Sequence, residues 1–180
     1  MNDQRGNADP TIALFERAVR EHSRRLLAIA RAIVVYRASP EDVLQQALLN
    51  LYQHRHRYDW REPGGLMRRT VVNEALRLLR QPRMTMVAED HPGRGDQPDD
   101  PALTDERIRT VREAIDRLPE HFRAALVLCE YERMPYAQIA EVLDCSVPQV
   151  KTWLHRGRKQ LAEMLREYVE DQTRTGHDGD

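Results

Sequence analysis

The chain has 180 residues, with 28 Lys and Arg against 29 Asp and Glu, a length that allows one ordinary domain or two small ones. Aromatic residues make up 6% and charged residues 32%, a balance that favours packed helices over a β-sandwich. No apolar run approaches the ~18 residues of a membrane span, the first residues lack a signal-peptide core, and two cysteines are too few for a disulfide framework. These features predict a cytoplasmic protein without membrane insertion.

The near-zero net charge is unevenly distributed. Residues 1–80 sum to +5, whereas residues 81–103 and 104–180 each sum to −3. Within the last block, residues 151–166 carry a local +4. Nearly all the cations are Arg, which suits phosphate and guanine but also follows from GC-rich coding. Charge alone therefore does not establish a nucleic-acid binder.

The first half of the chain predicts three helices. Apolar residues recur at helical spacing over residues 11–37, which indicates one amphipathic helix. Ser39 is a predicted N-cap, followed by Pro and two acids, and this second helix should run to about Tyr58. A loop with Trp60 at its tip follows, and a third helix begins at Pro63 and stops before Pro82.

The second half begins after a change in composition. Residues 82–103 contain four prolines, two glycines and five acids, which predicts a flexible acidic linker. Four helical patterns follow, at Leu103–Leu118, Pro119–Glu132, Tyr136–Leu143 and Ser146–Tyr168. The polar tail from Glu170 to Asp180 is expected to fray. The predicted fold is all-α, with two small helical domains joined by this linker.

The strongest local signal is a helix-turn-helix between residues 136 and 154. Asp144 stands at the tight turn, where a residue that tolerates the left-handed region is needed. Ser146 and Gln149 have the spacing of a capping box at the start of the next helix. The residues predicted to face inward are Ile139, Ala140, Leu143, Val150 and Leu154.

The opposite face of that last helix is polar and basic. A recognition helix needs polar side chains at its N-terminal end for base edges and cations behind them for phosphates. A solvated basic hairpin is the simpler alternative, but the turn, the cap and the core spacing together favour DNA binding. The candidate DNA contacts are Ser146, Gln149, Lys151, Thr152, Trp153, His155, Arg156, Arg158 and Lys159.

These segments resemble a known family. Residues 118–128, 134–143 and 150–161 look like region 4 of a bacterial sigma factor, and the closest type is the extracytoplasmic-function (ECF) group, which has only regions 2 and 4. Residues 41–51 resemble region 2.2, and residues 66–80 resemble regions 2.3 and 2.4. The resemblance implies a region 2 three-helix bundle over residues 11–81, a linker over 82–103 and a region 4 helix-turn-helix domain over 104–170.

The family's activity implies roles for both domains. A sigma factor binds core RNA polymerase and directs promoter-specific initiation, with region 4 reading the −35 element of double-stranded DNA and contacting the β flap. Region 2.2 docks on the β′ clamp helices, and the residues matching it are Glu41, Asp42, Gln45, Gln46 and Leu49.

Regions 2.3 and 2.4 of the family melt the −10 element and trap a flipped base of the non-template strand. Such a base needs a stacking or hydrogen-bonding pocket, and the single strand needs cations. The candidates are Arg55, His56, Arg57, Tyr58, Trp60, Arg68, Arg69, Asn73, Arg77 and Arg80. The resemblance also implies a monomer with an anti-sigma factor as a further partner.

Several residues depart from the family pattern. Ser39 and Gln46 stand where acids are common, so Ser39 is either a simple N-cap or a regulatory phosphosite that restores the charge. Arg77 replaces a frequent Asp, which removes an internal pair and adds a cation toward DNA. Trp153 replaces a usual Arg on the recognition face.

Other functional classes are weaker. His54 and His56 lack an evident third ligand, so neither a metal nor another cofactor is expected. The sequence contains no Gly-rich phosphate loop, nucleophile–base pair or carboxylate dyad, so it does not predict an enzyme. Two alternatives remain: a stand-alone helix-turn-helix regulator, or a sigma mimic that titrates an anti-sigma factor.

Overall fold

The computed structural model describes residues 9–81 and 101–175, without the side chains of 101–105, 107 and 167–175. Every regular element in these ranges is helical, which confirms the all-α prediction. None of the described helices combines the length and apolarity that a membrane crossing requires. The helices are α1 (Pro10–Val34), α2 (Pro40–Gln53), α3 (Pro63–Arg80), α4 (Pro101–Arg117), α5 (Glu120–Leu126), α6 (Tyr136–Leu143) and α7 (Val147–Thr175).

Helices α1, α2 and α3 form a bundle in which each packs against the other two. Helix α1 ends at Val34 rather than at the predicted residue 37, because Val35 adopts a φ of 52° while its N–H still bonds to the Arg31 carbonyl. Helix α2 ends at Gln53, short of the predicted Tyr58, and a 3₁₀ turn follows over Arg55–Arg57. The bundle core consists of Ile29, Ile33, Val43, Leu51, Met67, Val71 and their buried neighbours.

Helices α4 to α7 form the second domain. Helix α5 continues as a π-helical turn over Val127–Tyr131, which the Glu132 N–H closes by donating to the Val127 carbonyl at 3.1 Å. The predicted linker, residues 82–103, lies outside the described residues up to position 100, and its last three residues belong to α4. The backbone of residues 170–175, in the tail that is expected to fray, continues α7.

The two domains are in contact, and a buried arginine lies between them. Arg123 on α5 is 1% exposed, and its Nη1 donates to the carbonyl of Ile33 in α1 at 2.8 Å. Its Nη2 donates to the carbonyls of Asp116 and Leu118 at 2.8 and 3.0 Å. Burial lowers the pKa of this guanidinium, and these carbonyls accept hydrogen bonds from its two terminal nitrogens, whereas its Nε has no partner among the described residues. The last turn of α1 is therefore tied to the second domain.

Candidate nucleic-acid interface

The turn between α6 and α7 has the geometry that its sequence predicts. Asp144 adopts the left-handed conformation, with φ 51° and ψ 53°, and the Cys145 N–H donates to the Ala140 carbonyl at 3.0 Å. The Ser146 N–H donates to Oε1 of Gln149 at 2.8 Å, and the Gln149 N–H donates to Oγ of Ser146 at 3.4 Å. The predicted capping box is thus formed, and it fixes where α7 begins.

Packing of α7 against α5 and α6 decides which of its faces is exposed. Val150 and Leu154 are buried, together with Ile139 and Ala140 of α6, as predicted, whereas Leu143 is half-buried. Gly157 permits the close approach to α5, because a Cβ there would lie 3.0 Å from Cδ1 of Leu126. The exposed candidates on the opposite face are Ser146, Gln149, Lys151, Thr152, His155, Arg156, Arg158 and Lys159.

Two candidates on α7 are held by other helices. Trp153 is half-buried, and its ring lies 4.9 Å from the ring of His121 in α5. Arg158 donates from Nη2 to Oε1 of Glu130 at 2.6 Å, and this bond raises the pKa of its guanidinium. Both side chains fix the orientation of α7, whereas Lys151 and Arg156 make no ion pair with any residue that the structure describes.

In the first domain, α2 and α3 border a polar cavity of about 300 Å³. Arg77 donates from Nη2 and Nε to the two carboxylate oxygens of Glu74 at 2.6 and 2.9 Å, so it is not the unpaired cation that its sequence suggests. This bond raises the pKa of Arg77. The cavity thus presents a fixed carboxylate–guanidinium pair, and its lining residues are Asn50, Tyr58, Thr70, Asn73, Glu74 and Arg77.

Trp60 lies in the predicted loop between the 3₁₀ turn and α3, but its side chain is buried, so the prediction that it contacts DNA is wrong. Its side chain is 4% exposed, and its Nε1 donates to the Arg55 carbonyl at 2.8 Å. Its ring packs edge-on against Phe15 and Tyr58, at 5.6 and 6.3 Å between centroids. No face of Trp60 is available for stacking on a base, because the tryptophan closes the bundle core beneath the 3₁₀ turn.

The remaining cations of the first domain divide into held and exposed groups. Arg55 pairs with Asp9 at 2.9 Å and lies over the Tyr52 ring, so it anchors the 3₁₀ turn to the start of α1. Arg68 lies 3.4 Å from Glu132, and Arg80 lies 3.5 Å from Glu120, both in the second domain. Arg57 and Arg69 are exposed, and neither makes an ion pair with any side chain that the structure describes.

Helix α2 exposes an acidic and apolar face. Ser39 caps the helix, as predicted, by accepting a hydrogen bond from the Asp42 N–H at 3.1 Å. The pKa of the Glu41 carboxyl is lowered by a hydrogen bond from the Glu41 backbone N–H and by a further hydrogen bond from Arg31. Leu49 and Tyr52 are 45% and 40% exposed, which is unusual for large apolar side chains. The five candidates on this face, all exposed, are Glu41, Asp42, Gln45, Gln46 and Leu49.

Comparison with known families matches both domains. The family model described as Sigma-70 region 2 matches residues 18–84, and the model described as Sigma-70, region 4 matches residues 108–161. Two solved structures have the same fold. They are the sigma factor RpoE in complex with the anti-sigma factor NepR from Bartonella quintana, and CnrH in complex with the cytosolic domain of CnrY. Their TM-scores are 0.66 and 0.62, with 18% and 21% identity, and they cover 84% and 85% of this chain and 96% and 88% of theirs.

Curated relatives extend the likeness over most of the chain. The chain is 29% identical over 161 residues to the ECF RNA polymerase sigma factor SigE of Mycolicibacterium smegmatis, covering 84% of this chain but spanning 61% of that protein's length. It is 29% identical to the RNA polymerase sigma-H factor of Pseudomonas aeruginosa, covering 85% and 89% of the two chains. It is 30% identical to the ECF RNA polymerase sigma factor SigM of Mycobacterium tuberculosis, covering 84% and 76%. The chain therefore belongs to the ECF group of RNA polymerase sigma factors, with Sigma-70 regions 2 and 4.

Proposed function

We propose that this sigma factor binds core RNA polymerase through the exposed face of α2 and directs initiation at promoters read by α7 and by the cavity beside α3. It acts as a dissociable monomeric subunit in the cytoplasm, not as an enzyme. The observation that carries the proposal is the start of α7, where the capping box and the buried Val150 and Leu154 leave polar and basic side chains exposed on the other face. This is the arrangement that reading a major groove requires.

In this proposal, α7 reads the −35 element. Ser146, Gln149 and Thr152 lie on the exposed side of its first turns and can reach base edges, while Lys151 and Arg156 contact phosphates. Substituting a phosphate contact should weaken binding at every promoter, whereas substituting a base contact should change sequence preference. Substitution of Lys151 or Arg156, which make no ion pair with the described residues, is therefore the most direct test of phosphate contacts by α7.

The test compares Lys151→Ala and Arg156→Ala with Arg20→Ala, which removes an exposed cation from α1. Reconstituted holoenzyme carrying either α7 variant should initiate at least tenfold less from a promoter that has a −35 element. The Arg20→Ala holoenzyme should match wild type. Equal initiation by all three variants would contradict the proposed role of α7 in promoter recognition.

The cavity beside α3 is proposed to receive an unstacked base of the melted −10 element. Four of its six lining residues belong to the 2.3–2.4 segment, it has room for a base, and it offers hydrogen-bonding groups from both Glu74 and Arg77. A carboxylate accepts from an exocyclic amine while a guanidinium donates to a ring acceptor, an edge that cytosine and adenine both present. Tyr58 supplies an aromatic side chain at the same cavity.

Base readout by the cavity has its own test. Asn73→Ala should flatten the preference among the four bases at one −10 position, because a lining amide is lost. Gln53→Ala, an exposed change on α2 away from the lining, is the matched control. Transcription from promoters randomised across the −10 element gives the preference directly. An unchanged preference in Asn73→Ala would argue against the cavity as a base site.

The α2 face is proposed to dock on the β′ clamp helices of core polymerase, and the β flap is the proposed contact of region 4. Exposed Leu49 offers an apolar anchor between acidic and amide side chains, a composition suited to a basic protein surface. Leu49→Asp should reduce core binding at least tenfold in a pull-down, whereas Arg20→Ala should not. An anti-sigma factor is a further proposed partner, since the solved sigma factor RpoE is bound to the anti-sigma factor NepR.

A further inference from the structure

Trp153 is the one large apolar side chain among the candidate DNA contacts on α7, and it is half-buried. The centroid of its ring lies 4.9 Å from that of the His121 ring in α5, and the two ring planes are tilted by 54°. The His121 ring in turn meets the ring of Phe122 edge-on, at 4.6 Å between centroids. Because Phe122 is 7% exposed, this row of rings runs from a buried residue of α5 out to the surface of α7.

The packing of α5 against α7 explains why the indole is only partly covered. Gly157 follows Trp153 by four residues, so it lies on the same side of α7 one turn further along. A Cβ at Gly157 would lie 3.3 Å from Cβ of Phe122, so the missing side chain lets α5 approach α7 closely here. His121, in the first turn of α5, covers one part of the indole beside this contact. The remaining part of the ring is exposed.

The exposed part of the indole lies among the proposed DNA contacts. Gln149 precedes Trp153 by four residues and Arg156 follows it by three, so the three side chains share one side of α7. Both neighbours are exposed. Gln149 is a proposed contact of base edges, and Arg156 is a proposed contact of phosphates. DNA held by these two side chains would therefore also meet the indole between them.

We propose that Trp153 determines part of the −35 sequence preference by packing against the C5-methyl group of a thymine, and that His121 is the positioning residue that holds the indole for this contact. The thymine methyl is the apolar group in the major-groove pattern of the four bases, so an apolar side chain there favours thymine at one position. A ring that is already packed on His121 loses little conformational freedom when DNA binds, which preserves the gain from a contact as small as one methyl group. The inference rests on the proposed reading of the −35 element by α7, and it adds a residue from outside the helix-turn-helix.

The first test uses reconstituted holoenzyme and a pool of promoters randomised across the −35 element, with sequencing of the templates that are transcribed. Wild type should select thymine at one position on one strand. Trp153→Ala should flatten the preference at that position and leave the other positions unchanged. Tyr131→Ala is the matched control, because Tyr131 is an aromatic residue of the same domain that is 58% exposed and lies outside α7, and it should select as wild type does. Selection of the same thymine by Trp153→Ala would overturn the proposal.

The second test removes the methyl group from the DNA and leaves the protein intact, so it does not depend on the folding of a variant. One selected promoter is made with thymine and again with deoxyuridine at the selected position. The deoxyuridine promoter should bind wild-type holoenzyme about fourfold more weakly, which is the effect of burying one methyl group. Equal affinity for the two promoters would contradict the methyl contact.

The same two promoters test His121. His121→Ala should bring the ratio of the two affinities close to one, because the indole is no longer held. His121→Phe keeps a ring beside the indole and should retain most of the ratio. A purely structural role of His121 would weaken binding to both promoters alike and leave the ratio at about fourfold, which would contradict the positioning role.

The outcome is separable from that of the proposed function. Lys151→Ala and Arg156→Ala test promoter recognition by α7 through phosphates, whichever base Trp153 contacts. Initiation that depends on these two cations, while Trp153→Ala keeps every base preference, would overturn the methyl contact and leave the proposed function standing. Failure to initiate from any template, or initiation that is independent of the −35 element, would overturn both.

Discussion

Arg68 of region 2 and Glu132 of region 4 lie 3.4 Å apart, so a cation predicted to contact promoter DNA is paired with an acid of the other domain. Arg25 approaches the same carboxylate from α1. The structure therefore places part of the predicted DNA surface inside the contact between the two domains. A contact between Arg68 and promoter DNA, as the sequence predicts, would therefore require this ion pair to open.

Loss of the buried arginine should weaken the contact between the domains. Arg123→Ala leaves the carbonyls of Ile33, Asp116 and Leu118 without their donor and creates a cavity, which should cost about 3 kcal/mol or more in free energy of unfolding. Urea denaturation followed by circular dichroism measures this loss. Arg117→Ala, an exposed neighbour, should change it by less than about 0.5 kcal/mol. Similar losses for both variants would contradict the role given to Arg123.

The capping box should matter for both stability and promoter binding. Ser146→Ala removes the Oγ that accepts from the Gln149 N–H and donates to the Gln149 side chain, so region 4 should lose about 1 kcal/mol. Ser146→Thr keeps the hydroxyl and should retain most of it. For the Ala variant, the free energy of unfolding measured by denaturation and the level of −35-dependent transcription should both fall. A Thr variant that loses as much free energy of unfolding as the Ala variant would contradict the hydroxyl cap as the source of the loss.

Trp60 should behave as a core residue. Trp60→Ala removes a ring that packs on Phe15 and Tyr58, with an expected cost of about 3–5 kcal/mol. Trp60→Phe keeps most of the packing and loses one hydrogen bond to the Arg55 carbonyl, so its cost should be about 1–2 kcal/mol. Holoenzyme containing the Phe variant should initiate normally at a temperature where it is folded. A folded Phe variant without promoter opening would restore Trp60 to the DNA interface.

The start of α1 should respond to acid through Asp9. Hydrogen bonds from Thr11, with a further one from Arg55, lower the pKa of this carboxyl from 3.8 to about 2. Because the folded-state pKa is depressed, the carboxylate stabilises the fold above about pH 4 and loses that effect as the pH falls toward 2. The stability difference between wild type and Asp9→Asn should therefore be present at pH 6 and shrink between pH 4 and 2. A difference independent of pH would exclude the charge as its cause.

The role of Ser39 separates into a cap and a phosphosite. Its Oγ accepts from the Asp42 N–H at 3.1 Å and is exposed, so the structure describes a cap. Ser39→Asp retains capping and adds charge, whereas Ser39→Ala should lose about 1 kcal/mol. If phosphorylation is required, the Asp variant should initiate more strongly than unmodified wild type. Equal initiation by unmodified wild type and the Asp variant would dispose of the switch.

The helix-turn-helix can be predicted from the sequence because its signals are local. Asp144, Ser146 and Gln149 act within a few residues of one another, so their turn and cap could be read from spacing, and α6 has the predicted bounds, Tyr136–Leu143. The end of α1 could not be predicted in the same way, because helical periodicity continues past Val34 whereas Val35 adopts a positive φ. A short 3₁₀ turn likewise replaces the predicted end of α2, where no Pro or Gly marks the change.

Contacts between residues far apart in the chain cannot be predicted from helical periodicity. Arg123 and Glu132 are buried against residues about 90 and 107 positions away, and the sequence gives no sign of either partner. Trp60 was misplaced for the same reason, since its position between polar residues hides its contact with Phe15. A charged residue between apolar neighbours, as Arg123 is between Phe122 and Ala124, is a hint of a buried contact.

The most direct test of the account is in vitro transcription with purified core polymerase on a pooled promoter library, with and without this protein. Specific transcripts should appear only with the protein, and their templates should share −35 and −10 elements. These transcripts should fall at least tenfold when Lys151 and Arg156 are both replaced by Ala. Core polymerase that binds the protein yet yields no transcripts above background would contradict the proposed function. Recovery of DNA sites bound by the protein without polymerase would point instead to a stand-alone regulator.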